Sequence, residues 1–197
     1  MKSAITDILW TLLIAVVAYF ALHLSILTIK VDQPSMKPTI QPGWWIILSK
    51  ISYRISDPQR GDIVVFHAPP NVEPGKDFIK RIIGMPGDKV EIKNSTVFVN
   101  SVPLDEPYAQ TLHYTMVAQL IPEDQYFVLG DNRDISVDSH FGWLVPRKTI
   151  VGKAWVIMWP PSKWGSAPNY PQTVPDGAKS VDKRVSANYW GKEVIVP

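Results

Sequence analysis

Short apolar runs broken by turn-forming residues predict a mainly β fold, with a single N-terminal transmembrane helix followed by an antiparallel β-sheet domain. Three observations carry that expectation. Residues 8–29 read ILWTLLIAVVAYFALHLSILTI without one Asp, Glu, Lys or Arg; as a helix this stretch would be about 33 Å long, enough to cross a bilayer's hydrocarbon core. The chain of 197 residues holds 18 prolines and 11 glycines, which favours short strands over long helices. Beyond the span no amphipathic pattern runs longer than about two helical turns, which argues against layered α/β architecture.

The span comes first. No small-residue cleavage site follows it, so it reads as a permanent anchor, not a removable leader, and residues 1–30 form an anchoring segment. His23 is a weakly polar passenger within it. Lys2 and Asp7 flank one end and Lys30 and Lys37 the other, so the positive-inside rule gives almost no vote on orientation. Residues 31–164 form the β-rich domain, with strands expected at 44–48, 62–66, 78–83, 89–92, 97–100, 125–129 and 153–159. Val90-Glu91-Ile92 and Val97-Phe98-Val99, with 93–96 between them, read as a hairpin, part of an insertion over about 90–125. Residues 165–197, rich in Pro, Ser, Lys and Asp, read as an irregular tail.

Composition excludes several function classes. The formal net charge is +2, with no basic stripe, so nucleic acid is not an expected partner. There is no cysteine, which removes disulfides, zinc–thiolate sites and cysteine nucleophiles. Asp131, Asp134 and Asp138 crowd one loop, but their spacing lacks the glutamate closure and central glycine of a calcium loop. No metal or cofactor is expected.

Four separated segments concentrate polar residues. Asp32-Gln33-Pro34-Ser35-Met36-Lys37-Pro38-Thr39 follows the span, and prolines on both sides of Ser35 restrict the backbone that presents its hydroxyl. Arg60-Gly61-Asp62-Ile63-Val64-Val65-Phe66 is a turn feeding an apolar strand. Phe78-Ile79-Lys80-Arg81-Ile82-Ile83-Gly84-Met85-Pro86-Gly87-Asp88 places two cations inside another. Gly130-Asp131-Asn132-Arg133-Asp134-Ile135-Ser136-Val137-Asp138-Ser139-His140 is a dense polar loop. A serine hydroxyl is a weak nucleophile until a base takes its proton. None of the histidines at 23, 67, 113 and 140 lies in a triad motif. A lysine can serve if its pKa falls by about 2–3 units, and burial in an apolar strand beside the cation Arg81 pushes that way.

These segments, in this order, resemble the type I signal peptidases of the bacterial kind, from the anchor through about Trp159. The resemblance implies a β catalytic domain of the signal-peptidase and LexA-like type. It implies Ser35 as nucleophile, with its backbone N–H in the oxyanion hole, and Lys80 as general base and then general acid. It further implies that Ser136 orients the lysine, that Asp138 supports that loop, and that Arg81 pairs with Asp131. Met36, Ile40, Val65, Phe78 and Ile79 map to the substrate pocket. The implied substrates are signal peptides of exported preproteins, cut after small residues at Ala-x-Ala-like sites. The implied setting is the plasma membrane: single-pass in the lipid bilayer, catalytic domain extracytoplasmic, near the secretion translocon. The chain departs from the pattern at three places. Gln33 stands where many members have serine, His140 where arginine is usual, and Gly43-Trp44 where Gly-Asp is usual.

Eight tryptophans are many for this length. Trp44, Trp45, Trp155, Trp159 and Trp164 suit a headgroup layer, while the alternation of Trp155, Ile157 and Trp159 equally suits a core-filling strand. Two other functions fit parts of the pattern. One is a self-cleaving LexA-like Ser–Lys repressor, opposed by the span and the missing DNA-binding module. The other is a tethered β-domain that only binds peptides.

Overall fold

The computed structural model describes residues 2–174; the rest of the expected tail, 175–197, lies outside the described residues. Helix α1 (Lys2–Ser25) opens the chain, with residues 6–20 exposed, and is long and apolar enough to cross a membrane. Strands follow in the order β1 (Ile26–Lys30), β2 (Trp45–Ser49), β3 (Ile63–His67), β4 (Asp77–Gly84), β5 (Lys89–Lys93), β6 (Thr96–Val99), β7 (Val102–Pro103), β8 (Met116–Leu120), β9 (Gln125–Leu129), β10 (Val145–Pro146), β11 (Ile150–Trp159) and β12 (Gly165–Ser166), with a short helix α2 (Ser52–Ile55) after β2. The larger sheet runs β1-β2-β11-β3-β4-β9-β10, with β12 beside β11, and the smaller runs β7-β6-β5-β8. All the pairings are antiparallel.

Each expected strand appears, and β9 has the expected bounds. The helix does not end where the apolar run ends. The helix stops at Ser25, and β1 pairs with β2 from Ile26↔Ser49 to Lys30↔Trp45. Ile26, Thr28 and Ile29 are β-branched and suit a pleated surface, but an apolar strand continuing an apolar helix leaves no break in hydropathy. The expected insertion is the smaller sheet. Its β5–β6 hairpin turns at Asn94 and Ser95, whose φ values of 49° and 58° give the turn a twist that matches the strands.

Strand β11 settles the orientation of its tryptophans. Its pairing with β2 shifts register between Ala154 and Val156 and again between Ile157 and Trp159. Such bulges break simple alternation. Ile157 therefore packs inside while Trp155 and Trp159 are exposed, along with Trp45, Met158 and Trp164. Trp44 is half-buried against the core formed by Val31, Met36, Ile40, Leu48 and Val65.

Residues 165–174 are irregular beyond Gly165–Ser166, as expected, but they are tied to the domain. Gly165–Ser166 pairs with β11, and Ala167 is buried. Asn169 Oδ1 accepts from Ile63 N at 2.7 Å, and its Nδ2 donates to Ala154 O at 2.9 Å. Tyr170 N donates to Gly61 O at 3.0 Å. Gly61 sits at φ +87°, and a Cβ there would lie 1.7 Å from Tyr170 O, so only glycine lets this strap close over the turn before β3.

Candidate active site

Strand β4 lies between β3 and β9 in the larger sheet, and Lys80 and Arg81 sit opposite Val64 and Ile63 of β3. As consecutive strand residues they point to opposite faces. Both are buried, at 3% and 0% exposure. Lys80 Nζ lies 2.8 Å from Ser35 Oγ. Ser35 itself rides a single 3-10 turn, Pro34–Met36, opened by proline and closed by Lys37 N donating to Pro34 O at 3.1 Å. Fully buried Met36 anchors that turn in the core. From across the site, Asn132 N donates to Ser35 O at 3.0 Å and Asn132 Nδ2 to Pro34 O at 3.3 Å. The hydroxyl is thus held by the turn's own backbone and by the polar loop after β9.

Burial pushes the Lys80 amine down from its ordinary 10.5 to about 8, against the upward pull of Asp138, Glu73 and Asp131. Arg81 is not among the foremost groups acting on the amine; it is held in a pair with Asp131, the pairing the resemblance implies. Arg81 grips Asp131 through Nε–Oδ1 at 2.9 Å and Nη2–Oδ2 at 2.8 Å. Its Nη1 donates to Gly61 O at 2.9 Å and Pro168 O at 3.1 Å, and the guanidinium lies 3.9 Å from the Tyr108 ring centre. Its charge is spent on the other face of the sheet, where it fastens the 165–174 strap to the domain.

The loop after β9 is braced at several points. Arg133 donates from Nε to Gly130 O at 2.9 Å and forks onto Glu106 at 2.9 and 2.7 Å. Asp138, fully buried, accepts Gly130 N at 2.9 Å on one oxygen, and His140 N at 3.3 Å and His140 Nδ1 at 2.7 Å on the other. A Cβ on Gly130 would lie 2.5 Å from Ser35 O and 2.2 Å from Ser136 Oγ, so glycine lets the loop touch the Ser35 backbone. Ser136 does not hydrogen-bond to Lys80. Its hydroxyl is buried against Gly130 with no hydrogen-bond partner among the described residues, and the lysine's side-chain bond goes to Ser35.

Beside Ser35 and Lys80 lies an open groove of about 520 Å³, walled by residues 29–33 on one side and 76–80 on the other. Val65, Phe78 and Ile79 line it; Met36 and Ile40 do not, being fully buried in the core. Gln33 lines the groove close to Ser35 in the sequence and makes no capping bond to the 3-10 turn. The acidic residues of the second and third polar segments serve structure. Asp62 takes Tyr53 OH at 2.9 Å and pairs with Lys153, and Asp88 pairs with Arg60 at 2.9 Å. Sequence reasoning did not single out Asn132, Gly130 or Glu106 as site residues. The first two stand in the fourth polar segment and could have been flagged; Glu106 carries no local signal.

The chain is similar in sequence to known proteins. Residues 5–159 match the family described as signal peptidase, peptidase S26. The chain is 42% identical over 170 residues to a probable signal peptidase I-2 of Synechocystis sp., covering 74% of this chain and 78% of that protein. It is 41% identical over 141 residues to a signal peptidase I of Leptolyngbya laminosa, covering 68% and 70%. It is 34% identical over 187 residues to a signal peptidase IB of Staphylococcus aureus, covering 83% and 94%. Among solved structures, a signal peptidase I from Enterococcus faecalis aligns at 33% identity and a TM-score of 0.42, over 50% of this chain and 97% of that one.

Proposed function

Because this chain belongs to the signal peptidases of peptidase family S26, we propose that Ser35 is its nucleophile and Lys80 its general base. It is a signal peptidase I, a serine peptidase that acts on the signal peptides of exported preproteins. The observation that carries the dyad is the 2.8 Å separation of Lys80 Nζ and Ser35 Oγ, with an amine whose burial lowers its pKa to about 8.

A neutral amine at that distance takes the hydroxyl proton as Ser35 attacks the scissile carbonyl. The Ser35 N–H faces the oxyanion as it forms. Lys80 then hands its proton to the departing amine. A water molecule, deprotonated by the same amine, releases the acyl group and restores the enzyme. Ser136 serves as an uncommitted hydroxyl that meets the lysine once substrate is bound. Asp138, Arg81 and Asp131 hold the strand and loop that carry the dyad.

The substrate lies extended in the groove, its backbone pairing with the flanking chain segments. Val65, Phe78 and Ile79 make shallow apolar walls that admit small residues, which gives Ala-x-Ala-like cleavage sites. Helix α1 spans the plasma membrane, with the β-domain on its extracytoplasmic side near the secretion translocon. Trp45, Trp155, Trp159 and Trp164, all exposed, dip into the headgroup layer and bring the groove to a membrane-held substrate.

The test is cleavage of a peptide bearing an Ala-x-Ala site by the detergent-solubilised full chain. Wild type cuts after the second alanine, and Ser35→Ala and Lys80→Ala each lose about 10³-fold or more in kcat/KM while remaining folded. Undiminished turnover by Lys80→Ala refutes the general-base role. An uncut peptide with tight binding makes the chain a tethered receptor instead.

A further inference from the structure

Three of the four histidines meet a carboxylate through Nδ1: His67 with Asp77, His113 with Asp134, and His140 with Asp138. The first two pairs stand in solvent, their imidazoles 68% and 71% exposed. The third does not. Asp138 is fully buried and the His140 side chain is 15% exposed. The imidazole is stacked on Tyr114, with ring centres 4.2 Å apart, and lies against Phe141 at 4.0 Å.

We propose that His140 is a positioning residue for the dyad: its imidazole holds Asp138 against Gly130, and its charge sets how strongly Asp138 is felt at Lys80. The inference rests on Lys80 being the general base. The mechanical link is continuous. His140 donates to one oxygen of Asp138, the other accepts from Gly130 N, and Gly130 leaves no room for even a methyl group before Ser35 O. The electrostatic link follows the same path, because Asp138 is the foremost carboxylate opposing the effect of burial on Lys80. A protonated imidazole 2.7 Å from Asp138 offsets that carboxylate; a neutral one leaves it a hydrogen bond and no compensating charge.

The other charged groups facing this corner already have partners, while the Tyr114 hydroxyl has none among the described residues. Asp138, Arg133, Asp134 and Glu106 act on the Tyr114 phenol through their charges. Glu106 takes the Arg133 fork, and Asp134 takes His113. Burial drives the Tyr114 phenol far above its ordinary pKa, which keeps it neutral. That leaves the imidazole as the group at this corner whose charge bears directly on Asp138.

Fixing the charge tests the proposal. His140→Arg makes it permanently positive, and His140→Gln removes it while keeping a donor. The rising limb of kcat/KM against pH should lie lower in His140→Arg than in His140→Gln by on the order of half a pH unit, with wild type between. Coincident limbs in two folded variants overturn the proposal. A second measurement needs no variant at position 140. Coupling is reciprocal, so the NMR titration of the His140 ring should move to higher pH in Lys80→Met, where the competing cation is gone; an unmoved midpoint also overturns it. Retained turnover by Lys80→Met would instead count against the base assignment, which the ring titration does not depend on.

Discussion

Lys80 and Arg81 are neighbours on one strand, both buried, and the domain treats their charges in opposite ways. Arg81 is given a carboxylate fork, two carbonyls and an aromatic face, so its charge stays and becomes a fastening. Lys80 is given one serine hydroxyl and, at 5.1 Å, the Phe78 ring, but no carboxylate, so its charge is what burial penalises. Burial alone therefore does not decide whether a cation survives in a core; the supply of acceptors does. The sheet's alternation puts the two environments on opposite faces and keeps the fork from Lys80.

Substitution can break this comparison on either side. The largest effect is expected at Arg81. Replacing it by methionine leaves Asp131 buried and unpaired and should cost roughly 3–5 kcal/mol in denaturant unfolding of the full chain. A loss below about 1 kcal/mol would mean that the fork is dispensable. Lys80→Met should do the reverse. Below about pH 8 folding must bury a cation, and that cost fades as pH rises towards 10.5, where the unfolded lysine also loses its proton. Near neutral pH the variant should thus be more stable by up to roughly 3 kcal/mol, with the gain shrinking at alkaline pH. A destabilised Lys80→Met would contradict the claim that the amine is strained by burial.

The smallest effect sharpens the comparison. Ser136 supplies Lys80 with no acceptor in the free enzyme, so Ser136→Ala should leave stability unchanged or slightly improved. If its hydroxyl meets the lysine in the substrate complex, kcat should fall about 10-fold. Unchanged kcat would remove Ser136 from the site.

The residues of the proposed site were legible because each rests on a short polar segment inside an apolar context. Ser35, Lys80, Arg81, Asp131 and Asp138 stand out for that reason, and the structure gathers them in one region. What the sequence hid has physical causes. Strand β1 continues an apolar helix with no change in hydropathy. The bulges that turn Trp155 and Trp159 outward are set by register, which alternation cannot show. The 165–174 strap is tied by backbone groups and one asparagine, so its polar composition resembles a loose tail. Met36 and Ile40 lie beneath the nucleophile's turn, and no pattern separates a floor from a wall. The influence of Arg81 on the amine was misjudged because adjacency along a strand is not adjacency in space.

The most direct measurement is the titration of the Lys80 amine itself, by NMR of chain labelled at the lysine side chains. One resonance should titrate near pH 8, as burial of that amine implies, and should vanish in Lys80→Met. If every lysine titrates near the ordinary value of 10.5, Lys80 is a solvated cation at working pH and the proton-accepting role assigned to it is wrong.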